Sequence, residues 1–509
     1  MRTPSASGLR ALTLLACGTA AAATFAFQPA FAQSVPPETG KTDEAGTLST
    51  QAPPGIRPAK SQARPAEAMP GGRPGPAGLP QNIRWTEDWS KKPDANAPLL
   101  EKIKHIPIAN DDVYLTLGGE ARVYYTDWHH SSLGLKPNDN NDPVQSRLRL
   151  LADLHVGPNL RAYLELGDNR EYGEQFATVP NRDKVDIYQA FVDVTVPLGK
   201  AGKVTFRPGR FEMPLGNGKL VGVREGLNMR FTYQGVRATY ILPGKVSVDV
   251  FAVKPIQIDP GTFDDGPNHA QDFHGVYISA PNRIAGFGTD LYWYEMERDR
   301  ATLAIGVGRD DRNNWGGRLW KRGPHWDLDL EGTYQSGTFI DKDIKAFGTM
   351  FEGGYTFGDV AMKPRLGLRA NYFSGDKDLT DGKAGTFVPA AARLPLISEA
   401  AFFSFSNLMD IYPSVTVKPT PAITVMAGPD FLWRARKGDG VYIGPSGASF
   451  APYDSSRSIG TDLNLEASWQ VTDRLAFRLW ETYFAASNSF QDNGGKNGNY
   501  FGLMANYKF

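Results

Sequence analysis

Apolar and polar side chains alternate with a period of two over most of the chain. In residues 113–125 the odd-numbered positions are mostly apolar and the even-numbered positions mostly polar. Residues 147–156, 325–336 and 458–470 repeat this alternation, each in its own register. Because successive side chains of an extended strand point to opposite faces, the pattern predicts strands with one apolar and one polar face.

The alternation predicts an all-β chain of eighteen antiparallel strands, with sixteen as the alternative count. Boundaries read from a pattern alone are uncertain by about 2–4 residues. The predicted strands are 113–125, 147–156, 160–167, 185–196, 204–213, 235–241, 246–254, 274–280, 288–296, 314–321, 325–336, 344–357, 364–373, 408–418, 422–434, 458–470, 475–485 and 499–509.

Two architectures use such strands: a soluble sandwich hides the apolar faces inside, whereas an up-and-down outer-membrane barrel turns them to lipid. Strands of about 9–13 residues favour the barrel, because they are long enough to cross a membrane at a tilt. The connections also alternate, with short turns such as 157–159 and 472–473 on the expected periplasmic side. The long polar connections, expected outside the cell, are 127–143, 168–184, 255–272, 374–405, 435–457 and 486–498.

Both ends of the chain carry export features. Residues 1–32 read as a signal peptide, with Arg2 and Arg10 before an apolar stretch and an Ala-Phe-Ala cleavage site ending at Ala32. A lipoprotein signal ending at Cys17 is the alternative. At the other end, Phe509 closes an alternating strand and resembles the signal read by the outer-membrane barrel assembly machinery.

The chain between these ends divides into a linker and one body. Residues 33–82 contain ten prolines and few apolar side chains, so we expect a disordered periplasmic segment. Residues 83–509 contain no second linker of this kind and are predicted to be one outer-membrane barrel.

Composition and motifs narrow the chemistry. Lys and Arg total 55 and so do Asp and Glu, and this balance argues against a nucleic-acid partner. A single cysteine excludes a disulfide framework. We expect no catalytic residue, metal site or cofactor. His129 and His130 read as surface residues, with a metal pair as the alternative. The acidic run at Asp376 misses the spacing of a calcium hand and reads as a turn, with a surface calcium ion as the alternative.

Charged residues fall on the polar faces that would line a barrel lumen. They include Arg122, Arg147, Arg149, Arg161, Arg207, Arg237 and Arg369, with Glu120, Asp153, Glu165, Asp193, Asp249, Asp327, Asp329, Glu331 and Glu466. Guanidinium groups bind carboxylates bidentately, so a series of them suits a sliding polyanion. The alternative is that the arginines only pair with lumen acids and stiffen the wall.

Several short strings in a shared order resemble the alginate-export family of outer-membrane barrels. They are RWTEDWS at 84–90, LGGEAR at 117–122, QAFVD at 189–193, RPGR at 207–210, REG at 224–226, SGD at 374–376, GTF at 385–387 and FLWR at 431–434. The resemblance implies an eighteen-stranded barrel with an arginine-lined passage for a polyuronate. It suggests as passage residues Arg122, Arg207, Arg210, Arg224, Arg230 and Arg237, with Glu120, Asp193 and Glu225 as their acidic partners.

The leading hypothesis is therefore a channel in the cell outer membrane for passive export of an anionic polysaccharide. A general or solute-specific porin is the second hypothesis, and an outer-membrane barrel enzyme the third. The partners expected for the first are outer-membrane lipid and lipopolysaccharide, the assembly machinery through Phe509, and periplasmic polysaccharide secretion proteins.

Overall fold

A computed structural model describes residues 78–176, 179–391, 397–444 and 448–509. The predicted signal peptide and residues 33–77 of the predicted linker lie outside the described residues. None of the helices in the described part of the chain is long and apolar enough to cross a membrane.

Eighteen long strands of the described residues form one barrel, which confirms the predicted count and excludes sixteen. They are β1 (Val113–His129), β2 (Val144–Val156), β3 (Leu160–Tyr172), β4 (Asp183–Pro197), β5 (Lys203–Phe211), β6 (Tyr233–Ile241), β7 (Ser247–Gln257), β8 (Gln271–Ile284), β9 (Phe287–Leu303), β10 (Gly306–Arg322), β11 (Trp326–Phe339), β12 (Lys342–Thr356), β13 (Arg365–Phe373), β14 (Leu408–Thr420), β15 (Ile423–Arg434), β16 (Ser458–Gln470), β17 (Leu475–Ala486) and β18 (Gly498–Lys508).

Sequential strands pair antiparallel, and the first strand closes the sheet on the last. The register between β1 and β18 runs from Glu120 opposite Lys508 to His129 opposite Asn499. The C-terminal residue completes this seam, because the backbone N–H groups of Gly119 and Phe509 each donate to the other's carbonyl. A Cβ at residue 119 would lie 2.4 Å from the Arg149 carbonyl oxygen and 2.5 Å from the Phe509 ring, so the seam requires glycine there.

The two faces of the sheet have opposite character. Val123 and Leu150 point outward and are 53% and 52% exposed, whereas Glu120 and Arg122 point inward and are fully buried. A soluble sandwich would bury the first pair and expose the second. The arrangement is that of a barrel whose apolar outer surface meets acyl chains.

The connections depart from the predicted alternation in two ways. At the long-loop end, β9–β10 and β11–β12 are joined by the two-residue turns 304–305 and 340–341, so several strands extend further than predicted. Between β5 and β6 the chain makes a 21-residue connection, 212–232, which is not among the predicted long connections. This connection folds into the lumen and is called the inner loop below.

Small elements complete the structure. The helices are α1 (Leu99–Lys102) and α2 (Asn488–Gln491), and the 3-10 turns are Arg84–Thr86, Val179–Asn181, Gly199–Ala201 and Pro243–Lys245. Two-residue strands occur at Ile106–Pro107, Gly266–Pro267, Lys383–Ala384, Val441–Tyr442 and Ser449–Phe450. Over the long-loop end, buried aromatic side chains such as Phe402, Phe484 and Phe490 pack the long connections together.

Candidate functional site

The candidate site begins with charges that the register of β1 and β2 places side by side. Arg122 lies opposite Arg147, and Glu120 lies opposite Arg149, all on the inward face. Like charges directly opposite each other in a sheet repel. The two arginines therefore need carboxylates from elsewhere in the lumen.

The inner loop brings one of these carboxylates and several carbonyl groups. Arg147 Nη1 donates to Glu225 Oε1 and to Glu120 Oε1, each at 3.1 Å, and its Nη2 donates to the Leu227 carbonyl at 2.7 Å. Arg122 Nη1 donates to the Glu225 carbonyl at 3.1 Å and lies 3.5 Å from the Glu225 carboxylate. Both guanidinium groups are thus held by a segment that is distant in sequence.

A third arginine links the inner loop to the N-terminal segment. Arg230 pairs with Glu225, and its Nη1 donates to the Asn82 carbonyl at 2.8 Å and to Glu212 Oε1 at 3.2 Å. Burial raises the pKa of Glu225, but the guanidinium groups of Arg230 and Arg147 outweigh it and hold that pKa well below its ordinary value. Glu225 is therefore ionised at neutral pH and is surrounded by three arginines.

The short-turn end of the lumen holds a second arginine site, built around Trp85. Arg207 lies between the rings of Trp85 and Phe191, 3.9 Å from each, and donates twice to Asp193 at 2.7 Å. Arg161 donates to the Trp85 carbonyl at 2.8 Å. The N-terminal segment 78–89 therefore enters the barrel from this end and meets the inner loop at Asn82.

Arg237 lies opposite Arg207 on the neighbouring strand and pairs with Asp249 at 2.7 Å, so it belongs to this second site. The remaining predicted passage residues, Arg210 and Arg224, lie apart from both sites. Arg210 donates to the Ile187 carbonyl at 2.7 Å, near the long-loop end. Arg224 stacks on Phe231 at 3.8 Å, and burial lowers its pKa to about 10. The structure thus brings Glu120, Arg122, Glu225 and Arg230 into one cluster, places Asp193, Arg207 and Arg237 in another, and separates Arg210 and Arg224 from both.

Two cavities border these clusters. One of about 210 Å³ lies at the short-turn end between Trp85, Arg207 and Arg237. The other, of about 40 Å³, lies beside Glu225 against the wall of β17 and β18. Arg478 and Lys508 line it from that wall. Trp85 of the N-terminal segment thus lines the larger cavity, and Glu225 of the inner loop lines the smaller one.

Several residues of the site were absent from the predicted set. Arg147 completes the central cluster, Glu212 joins it from the inner loop, and Arg478 and Lys508 line the smaller cavity. Strand alternation had placed Arg147 in the lumen, which is the signal that identifies it. Glu212 falls in the predicted strand 204–213, where alternation assigns it to the face opposite Arg207. The observed strand ends at Phe211, so only the fold reveals the position of Glu212.

Glu399 supplies a charge that changes near neutral pH. It accepts a hydrogen bond from the Tyr124 hydroxyl at 3.2 Å, and burial together with the Glu466 carboxylate raises its pKa to about 7. The folded protein therefore favours the neutral acid, and this preference makes stability fall as the pH rises from 4.5 to about 7. Above that pH the lumen gains one negative charge.

We predict that anion selectivity decreases between pH 6 and pH 8, because ionised Glu399 repels anions in the lumen. Reversal potentials in planar bilayers under a salt gradient measure this selectivity. In Glu399→Gln the change with pH should be smaller, and a change of the same size in the variant would contradict the assignment.

Comparisons with known proteins complete the description. A family model described as alginate export matches residues 113–504. A comparison with curated proteins finds no match. The fold is similar to that of Pseudomonas aeruginosa OccK9 (OpdG), with a TM-score of 0.52 and 11% identity over 78% of this chain and 98% of that one.

Two more solved structures from the same organism have this fold. OccK5 (OpdH) gives a TM-score of 0.51 at 11% identity, covering 78% of this chain and 98% of its own. OpdK, solved with vanillate, gives a TM-score of 0.50 at 10% identity with the same coverage. At such identities the likeness concerns the fold alone.

Proposed function

Because the chain belongs to the alginate-export family of outer-membrane barrels, we propose that it exports an anionic, alginate-like polyuronate passively through its lumen. The family and the fold are those of outer-membrane channels. The finer proposal, an arginine-lined passage, rests on the chain's own geometry.

The observation that supports it most is the position of Glu225. Its carboxylate lies on a connection rather than on a strand, and Arg122 and Arg147 approach it from the barrel wall. We infer that this carboxylate stands where a uronate carboxylate would bind. When the inner loop moves away, Arg122 loses its acidic partner and Arg147 keeps only Glu120, so both can bind the polymer.

The other proposed passage arginines would add contacts along the way. Arg207 and Arg237 border the cavity at the short-turn end, so they would meet a polymer arriving from the periplasm first. A carboxylate can replace Asp193 on Arg207 only in part, because Asp193 is fixed to its strand. Several partial contacts of this kind let a polymer bind and still advance.

A small-anion porin is the second candidate. The two cavities beside the arginines have volumes of about 210 Å³ and 40 Å³, and cavities of this size suit a small solute better than a polymer. The fold is also that of OpdK, which was solved with vanillate. In this case the inner loop would stay in place and the cavities themselves would be the pathway.

Block of the channel current distinguishes the two candidates. We predict that uronate oligomers block single-channel current at concentrations about tenfold or more below those of neutral dextran of equal length. The physical reason is that only the uronate carboxylates can replace Glu225 on the arginines. Equal block by both polymers would favour the porin.

Matched arginine variants test the site. Arg122→Gln should weaken block by uronate oligomers, since it removes one of the two wall guanidinium groups. Arg309 is also paired with acids, but it lies on the outer face and is half exposed. Arg309→Gln is therefore the control and should leave block unchanged; equal effects of the two variants would exclude the lumen cluster as the binding site.

A further inference from the structure

Four aspartates gather at the long-loop end of the barrel, outside the arginine clusters. Asp183 and Asp186 belong to the start of β4, and Asp264 and Asp265 belong to the connection 258–270. One carboxylate oxygen from each lies within 4.8 Å of the others. Acidic clusters are common at protein surfaces, so the cluster needs independent evidence of a ligand.

That evidence is the environment of Asp183. Its side chain is 97% buried, and within the described residues neither of its carboxylate oxygens accepts a hydrogen bond. By contrast, Asp186 Oδ2 accepts from the backbone N–H groups of Asp264 and Asp265, at 2.8 and 3.1 Å. A buried carboxylate without a partner is costly, so Asp183 points to a missing cation.

The local charge balance points the same way. The nearest cation is Arg210, whose Nη1 lies 3.6 Å from Asp186 Oδ1. Arg210 Nη2 is used by the Asp265 carbonyl, to which it donates at 2.9 Å. Among the described residues, no second guanidinium or ammonium group forms an ion pair with the four side chains. A bound cation would reduce the repulsion between their carboxylates.

The chemistry of the ligands selects the ion. All four side chains offer oxygen and none offers nitrogen or sulfur, which suits a hard cation rather than zinc. Asp183 and Asp186 are buried, whereas Asp264 is exposed, so the cluster is open to solvent on one side. Calcium accepts irregular sets of carboxylates and waters, whereas magnesium requires near-octahedral geometry.

We propose that Asp183, Asp186, Asp264 and Asp265 bind a calcium ion that fastens the connection 258–270 to β4. Long loops of outer-membrane barrels face the outside of the cell. Extracellular calcium sites have dissociation constants of about 10⁻⁴–10⁻³ M, and we expect this range. The ion would hold the connection 258–270 against the outer end of β4. The other end of the same strand carries Asp193, the partner of Arg207.

Calorimetric titration of the folded, detergent-solubilised full chain with calcium chloride tests the proposal. We expect one binding event that magnesium chloride does not reproduce at the same concentration. Asp183→Asn and Asp264→Asn should each raise the dissociation constant at least about tenfold. Asp142→Asn, which removes an exposed aspartate from another connection, is the control and should not change it.

Limited proteolysis tests calcium binding a second time, without relying on the calorimetric heat of binding. Phe263 is 59% exposed and precedes Asp264, so chymotrypsin should cut there. Calcium should slow this cut in the parent and in Asp142→Asn but not in Asp264→Asn. The side chain of Asp264 is exposed, so we expect the Asp264→Asn variant to fold like the parent. No binding heat, equal binding of magnesium, or a cut that is indifferent to calcium in the parent would each overturn the proposal.

Discussion

Replacing residues 214–231 with a short glycine–serine linker should raise the single-channel conductance about threefold or more, because the inner loop crosses the lumen. Glu225 binds Arg147 on one wall of the barrel. Lys219 binds Asp329 on the opposite side, with 3.1 Å between Nζ and Oδ1. The loop is therefore held at both walls, and its removal widens the lumen.

A linker of the same composition in place of residues 258–270 is the matched control. No residue of that connection is buried, in contrast to the inner loop, so conductance should stay unchanged. The N-terminal segment stays in the short-turn end in both variants. Trp85→Ala, which removes the ring stacked on Arg207, should therefore raise the conductance of the loop variant further. Parent-like conductance in the loop variant would show that ions pass elsewhere.

The strands could be predicted because lipid on one side and water on the other impose a period of two. Each of the eighteen predicted strands overlaps an observed one. The predicted strand ends were less accurate where the strands extend beyond the membrane. In β9, for example, the predicted strand stops at residue 296, and Arg298, Asp299 and Arg300 continue it to Leu303. Both faces are polar there, so the alternation disappears although the pairing continues.

Ion pairs between neighbouring strands were also accessible from the sequence. Arg207 and Asp193 are 14 residues apart on β5 and β4, which a short turn joins. Antiparallel pairing then brings their inward side chains together. The same reasoning cannot find the partner of Arg147, because Glu225 lies 78 residues away in a connection without periodicity.

The inner loop itself was missed because its sequence looks like an ordinary turn region. Gly216 and Gly218 have positive φ values of 56° and 74°, typical of turns. Yet Leu215, Leu220 and Val221 are buried, which an external loop would not require. Apolar side chains between turn glycines were therefore the available signal that the loop is buried. The place where the loop docks could not be predicted, because it depends on contacts with the connection 374–407. One of these is the hydrogen bond from the Gly222 N–H to the Ala391 carbonyl.

Removing Arg147 should destabilise the barrel strongly. Arg147→Met keeps much of the side-chain volume but leaves Glu120, which is fully buried, with Arg230 as its remaining close cation at 3.8 Å. Loss of one partner from a buried ion pair costs about 3–5 kcal/mol. We therefore expect the free energy of unfolding in lipid vesicles, measured by urea titration, to fall by about that amount.

A double variant determines whether the ion pair is the cause. In Arg147→Met with Glu120→Gln, the charge stranded by the single substitution is also gone, so the double variant should be more stable than Arg147→Met alone. Arg309→Met removes an arginine of similar size from the half-exposed outer face and should leave the unfolding midpoint nearly unchanged. If the double variant loses more stability than the single one, the cost lies in the lost hydrogen bonds to the carbonyls of Leu227 and Asn228 rather than in the unpaired charge of Glu120.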